Sequence, residues 1–402
     1  MRVAVIGGGA AGLTAAGSAK NAEVVLFEHT DKLGKKIYIT GKGRCNFTNV
    51  CDRETFLSNV VTNAKFLRGA LSRFSPDDAI ALLNANGCAT KVERGRRAFP
   101  ASDKASDVTK ALRRYAESNG ARLVTDVDIK RIVPTDGGFT VVRGDGEEKF
   151  DRVVVCTGGM SYPVTGSDGS AYAFLKEMGH DIVPPVPSLV ALKTAEDLSC
   201  AEGLTLKNVA LSADGVKPIF GDMMITADGI SGPIALTMSA YLARREFPYK
   251  VRLDLKPTIS AEELDARLLR EFDAQCNKQF KNALDNLLPK SIIPFIINVS
   301  GIPETRRINS VTKAERQRLC AAVKRAELTV VGNDGFARAV VTSGGVDVGR
   351  VDPKTMESRL VKGLYFGGEV LDVDALTGGY NFHIALATGY VAGANAGGTN
   401  NE

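Results

Sequence analysis

Apolar and polar positions along this chain of 402 residues are arranged in blocks of differing period. The unbroken apolar run Val3 to Ile6 reads as a buried strand, and the alanine-rich stretch after it as a helix. A second apolar run, Val24 to Phe27, ends in the acid Glu28. Ser75-Pro76-Asp77-Asp78 sets a cap, a first-turn proline and two acids before an apolar face, and Gly87 closes that helix. Ser260 with Glu263 and Thr312 with Glu315 read as capping boxes. After the first of these, Leu264, Leu268 and Phe272 recur at helical spacing and are expected in a core.

From Pro184 the texture changes to short strand-like runs with Gly, Asp and Asn turns. A helical stretch follows at about 258–326, and strand-like text returns at Leu328 to Val331 and Arg338 to Val341. The C-terminal part switches back to strand, Gly-rich turn and helix. The pattern predicts a discontinuous α/β domain, 1–187 and 344–402, around a β-rich middle domain, 188–257 and 327–343, with a helical insertion at 258–326. The tail 397–402 is expected to fray.

Composition narrows the function classes. A hydrophobic fraction of 44% and a charged fraction of 24% are those of an ordinary globular protein. A net charge of +5 on this length is mild, and the basic residues are dispersed, so no nucleic-acid partner is expected. The seven cysteines form no C-x-x-C pair and the three histidines lie far apart, so neither a zinc site nor a redox pair is expected. Unpaired thiols fit a cytoplasmic location. The chain enters a strand at once, so no signal peptide is expected, and its longest apolar candidate, Ile292 to Val299, is broken by Pro294 and Asn298, so no membrane partner is expected.

Four segments carry chemistry. Gly7-x-Gly9-x-x-Gly12 follows a strand and opens a helix: Gly7 permits the turn, Gly9 clears space for a pyrophosphate, and Gly12 lets the helix lie close. Glu28 at the end of the next strand suits both hydroxyls of an adenosine ribose, which favours FAD or NAD over NADP. In the segment from Gly34 to Asn49, Gly41 and Gly43 admit close backbone approach, Arg44 can pair with a pyrophosphate, and Asn46 can donate and accept. Thr157-Gly158-Gly159 ends a buried-type strand where open α/β sheets bind ligands. Late in the chain, Gly367-Gly368-Glu369 and Gly378-Gly379-Tyr380-Asn381 precede a helix whose amino end suits the pyrimidine edge of a flavin.

This order of motifs resembles the two-dinucleotide-binding-domain flavoproteins of the glutathione-reductase structural class. The strings TGKGRCNFTN, RAFPASDKASDV, TGGMSYPVTGS, GISGP, VTSGGV and GLYFGGEVLDVDALTGGYN are similar to a narrower group, the BaiN-like and aminoacetone-oxidase-like NAD(P)/FAD-dependent flavoproteins, over essentially the whole chain. The resemblance implies a Rossmann-type FAD-binding domain with a β-barrel-like middle domain and a helical insertion. It implies FAD contacts at Gly7, Gly9, Ala11, Gly12, Glu28, Gly43, Arg44, Cys45, Asn46, Thr157, Gly158, Gly368, Glu369, Gly379, Tyr380, Asn381 and Phe382. Val127, in an expected strand from Leu123 to Ile129, is the implied backbone contact to adenine. The chain departs from the family where Ala227 and Asp228 stand in place of a histidine-containing string, and where His383 replaces a common glutamine.

The expected activity is an FAD-dependent oxidoreductase that moves hydride between flavin and a small molecule, with NADH or NADPH as a transient electron donor. Reduction of an activated C=C bond leads; an oxygen-dependent amine oxidase of the aminoacetone type is the alternative. A flavin-dependent tRNA-binding or redox-sensing protein is the alternative from another class. Tyr162 and His383 are the candidate catalytic residues. Cys45 is expected to pack beside the flavin, and the cluster Arg94, Arg96 and Arg97 to be a solvated turn. Substrate identity and oligomeric state stay open.

Overall fold

Five parallel strands form the central sheet of the first unit, in the order β5-β4-β1-β2-β3. They are β1 (Arg2–Ile6), β2 (Glu23–Phe27), β3 (Arg122–Val124), β4 (Arg152–Val155) and β5 (Leu364–Phe366). Val3, Ala4 and Val5 at the centre are fully buried, as expected of strands covered on both faces. The computed structural model describes residues 1–398; the last four residues of the tail expected to fray lie outside the described residues. The chain divides into Met1–Pro187 with the residues from Phe336 onward, and Ser188–Gly335.

In the first unit, α1 (Ala10–Ser18) packs against both α3 (Ala105–Ser118) and α4 (Tyr380–Ala396), while the short α2 (Lys35–Ile39) packs on α3. Small residues make the first contact possible. A β-carbon on Gly393 would lie 2.2 Å from the Ala15 carbonyl oxygen, so α4 approaches α1 backbone to backbone. The helix Pro76–Ala85 carries the capping box of Ser75 and Asp78 that its sequence announces.

The strand expected from Leu123 to Ile129 is divided. Asp126 turns with φ +59°, the Val127 N–H donates to the Glu28 carbonyl, and Ile129–Thr135 begins a separate antiparallel meander. The run expected at 338–341 forms its strand later, at Val341–Val346, paired with Ile182–Ser188. Both corrections have one cause: apolar runs mark burial without marking where the chain turns.

The second unit is a closed six-stranded barrel with helices. Around it run Leu192–Thr194, Gly229–Ser231, Val216–Thr226, Thr205–Ala213, Tyr249–Asp254 and Ala326–Asn333. Ala261–Ala274 and Lys313–Lys324 start with capping boxes at Ser260 and Thr312, and Leu264, Leu268 and Phe272 are buried in this unit's core. Among the described residues no helix is long and apolar enough to cross a membrane.

Candidate active site

The turn from β1 into α1 is built for close backbone passage. Gly7 has φ +105°, and a β-carbon there would lie 2.4 Å from the Cys156 carbonyl oxygen. On Gly12 a β-carbon would lie 1.8 Å from the Gly7 carbonyl oxygen. Gly9 is different: it caps α1, and a β-carbon there would meet nothing within 4 Å. Space therefore lies open before the helix start, where unpaired N–H groups and the positive dipole end favour an anion.

That space belongs to a cavity of about 610 Å³. Glu28 stands in its wall, held by the Gly8 N–H at Oε2 and the Thr30 N–H at Oε1, both at 2.8 Å. Oε2 keeps a second acceptor position for a hydroxyl, while His29 Nδ1 stands 3.4 Å from Oε1. Val127 and Ile129 continue the wall on this side.

The opposite wall comes from the ends of β4 and β5 and the start of α4. Thr157 lines it, and its hydroxyl oxygen is buried without a hydrogen-bond partner. Gly368, with φ +79°, brings the backbone so near α1 that a β-carbon would lie 2.8 Å from the Ala11 methyl carbon. Glu369 Oε1 accepts from the Ser161 hydroxyl and the Thr342 N–H, each at 2.7 Å, and Oε2 accepts from the Lys36 ammonium at 2.7 Å. Burial alone would raise this carboxyl, but Lys36 and the hydrogen-bond donors hold it below its ordinary value, so it is a carboxylate. Asn381 is pinned by Ala375, whose N–H donates to Oδ1 and whose carbonyl accepts from Nδ2.

Most of the expected cofactor residues come together. Gly7, Gly9, Ala11, Glu28, Val127, Thr157, Gly158, Gly368, Glu369, Asn381 and Phe382 all line the cavity. Gly12 supports the turn from behind, and Gly379 caps α4 with φ +98°. Tyr380 is buried edge-on against Phe56. Gly43, Arg44, Cys45 and Asn46 are not among the lining residues. Arg44 is instead held by Glu93 and Asp103 over the Phe99 ring, because the antiparallel pairing of Thr90–Glu93 with Arg97–Pro100 brings those acids to it. Cys45 is fully buried with φ +61°, and burial pushes its thiol far up, so it supplies no thiolate. Asn46 keeps its Oδ1 buried and unpartnered beside Gly379. Arg94, Arg96 and Arg97 are exposed at the tip of the same hairpin.

Neither candidate catalytic residue lines this cavity. His383 has no exposed surface; its Nε2 donates to the Phe74 carbonyl and its Nδ1 accepts from the Thr48 hydroxyl. It packs against Phe56 and Phe74. Burial lowers its pKa to about 4, so it is neutral and shut away from the cavity. On α4 the residues facing the cavity are Asn381, Phe382, Ile384 and Ala385, and position 383 falls on the opposite side of a 3.6-residue turn. Tyr162 turns with φ +52°, donates its N–H to the Phe336 carbonyl, and is not among the lining residues. The sequence reading missed Lys36, Ser161 and Thr342. No spacing links them to Glu369, and only the folded sheet brings them there.

The open space before Gly9, the carboxylate of Glu28 and the orphaned Thr157 hydroxyl suit an extended adenine dinucleotide. Among the described residues no group of three or more His, Cys, Asp or Glu side chains is placed to hold a metal ion. A family model described as the HI0933-like protein Rossmann domain matches residues 1–395. The chain belongs to the HI0933-like family. It is an oxidoreductase of the flavoprotein type. One relative, a 3-dehydro-bile acid delta(4,6)-reductase from Clostridium scindens, is 35% identical over 98% of each chain. Another, a ribosomal RNA dihydrouridine synthase from Haemophilus influenzae, is 31% identical over 96% of each. The fold is shared with a 3-ketosteroid-delta4-(5alpha)-dehydrogenase from Rhodococcus jostii, at 16% identity, a TM-score of 0.51, and coverage of 98% of this chain and 95% of that one.

Proposed function

We propose that this protein binds FAD in the cavity of its first unit and reduces a C=C bond conjugated to a carbonyl. One observation carries the reading: two relatives with unlike substrates, a bile-acid derivative and a uridine in RNA, bear names that describe saturation of such a bond. When bound, the flavin supplies hydride transfer at its ring nitrogen, and NADH or NADPH is the proposed source of electrons.

The chain's own residues position and polarise. The first N–H groups of α1, beside Gly9, hold the pyrophosphate. Glu28 accepts from the adenosine ribose hydroxyls, and its charge rejects a ribose phosphate. The first intrahelical bond of α4 runs from His383 N–H to the Gly379 carbonyl, so the N–H groups of Tyr380, Asn381 and Phe382 precede it. Those N–H groups stabilise negative charge at the pyrimidine edge.

The test begins with the absorbance of purified protein at about 450 nm, a property of oxidised flavin. Under anaerobic conditions NADH or NADPH is expected to bleach it. A 3-oxo-Δ4 steroid or an unmodified ribosomal RNA fragment is then expected to restore the colour, and which one does so assigns the substrate class. Colourless protein that takes up no FAD overturns the reading. Peroxide formation with an amine and oxygen, without bleaching by either nicotinamide, replaces it with the oxidase.

A further inference from the structure

Lys36 stands in the first turn of α2, yet its ammonium reaches an acid more than three hundred residues away in the chain. The cluster joins four separate segments: Lys36, Ser161 after β4, Thr342 in the strand Val341–Val346, and Glu369 after β5. Ser161 and Thr342 are fully buried, and the Thr342 hydroxyl accepts the N–H groups of Met160 and Ser161, so the frame around the two charges is fixed.

A donor and acceptor count shows what this frame leaves over. An ammonium has three N–H groups. Lys36 uses one on Glu369 Oε2 at 2.7 Å and one on Ser161 Oγ at 2.5 Å; the third has no partner among the described residues. Glu369 Oε1 is filled by the Ser161 hydroxyl and the Thr342 N–H, whereas Oε2 accepts only from Lys36 and keeps a second position. Both side chains line the cavity, 25% and 20% exposed. The wall thus offers one donor and one acceptor on neighbouring atoms. A hydroxyl, which donates once and accepts, is the complementary group, and a polyol brings several in a row.

We propose that Lys36 is a positioning residue that grips, together with Glu369, the polyol chain linking the flavin ring to the pyrophosphate. The inference rests on the FAD reading above and goes past it, since none of the sequence motifs assigns Lys36 a role. Lys36 has two tasks. It gives a hydrogen bond to a polyol hydroxyl, and it keeps Glu369 matched by an opposite charge once the cofactor has displaced water. Removing Lys36 alone leaves an uncompensated carboxylate in a dry cavity, which costs more than removing both charges.

The experiment titrates FAD into flavin-free wild-type protein and into the variants K36M, K36Q, K36R, E369Q and K36M/E369Q, following quenching of flavin fluorescence. The melting temperature of each flavin-free protein is recorded alongside. K36M and K36Q are expected to weaken FAD binding by at least about tenfold, with melting temperatures near wild type. K36R is expected to recover part of the affinity, and K36M/E369Q to bind more tightly than K36M. FAD affinity within a factor of about two of wild type in K36Q or K36M overturns the proposal, as does a double variant whose loss is the sum of the two single losses. If K36M fails to fold, K36Q, which keeps a polar terminus, decides by the same criterion. Wild-type protein that quenches no FAD overturns the cofactor reading itself, a result distinct from any ranking among the variants.

Discussion

Gly389 lies so close to Ala11 that a β-carbon on it would stand 2.3 Å from the Ala11 carbonyl oxygen. The oxygen belongs to backbone and cannot swing aside, so Gly389→Ala must push α4 off α1. The expected loss is about 1–3 kcal/mol of stability, read as a lower melting temperature. FAD content should fall with it, because Ala11 and Ala385 on the same two helices line the cavity.

Gly9 offers the opposite experiment. Its backbone has φ −81°, which any residue adopts, and nothing stands within 4 Å of an added β-carbon. Gly9→Ala and Gly9→Val are therefore expected to leave flavin-free stability within about 0.5 kcal/mol of wild type. FAD affinity should fall at least tenfold with the larger side chain, on the order of 1.4 kcal/mol. A fluorescence titration beside a thermal melt separates the two effects.

His383 makes folding pH-dependent. Its pKa is lowered from 6.5 to about 4 by burial, against weaker opposing effects from the Phe74 hydrogen bond and Asp78. Above pH 6.5 the ring is neutral whether the chain is folded or not. Between 6.5 and about 4 the unfolded chain binds a proton that the folded one refuses, so stability falls as pH falls, by on the order of 3 kcal/mol in all. Below that range both states are protonated and the loss is complete. His383→Gln can still donate to Phe74 and accept from Thr48. Its melting temperature is expected to drop less than that of wild type between pH 7 and pH 4.5, with oxidoreductase turnover at pH 7 retained.

Arg44 separates a structural from a cofactor role. It is engaged by Glu93 and Asp103 and lies partly in solvent. Arg44→Ala is expected to lower the melting temperature slightly, with an effect that shrinks in high salt, and to leave FAD affinity unchanged. Isothermal titration with FAD checks the second point.

The contrast among these residues shows what a one-dimensional pattern carries. The turn at Gly7, Gly9 and Gly12 is local: strand, turn and helix are contiguous, so each glycine's task could be read from its offset. Glu28 follows by the same logic, one strand later. Gly379 and Asn381 were legible because a helix start has its own signature. The ion pairs of Arg44 were not, because many acids in the fold could have claimed it, and Glu93 and Asp103 did so through a hairpin pairing that the spacing does not encode. Lys36 escaped for the same reason, its partner Glu369 being 333 positions away. The burial of His383 has a simpler reason: its side of α4 can be computed from Asn381 and Phe382 by counting turns, and it faces away from the cavity.

The cavity wall has a consequence for how the protein comes into being. Its first residues, Ile6 to Ala11, and its last, Phe382 to Ala385, lie far apart along the chain. On the ribosome, the early sheet emerges long before the helix that completes the pocket. Flavin capture by this cavity must therefore wait until the helix Tyr380–Ala396 has been made, and nascent chains stalled before it should carry no colour.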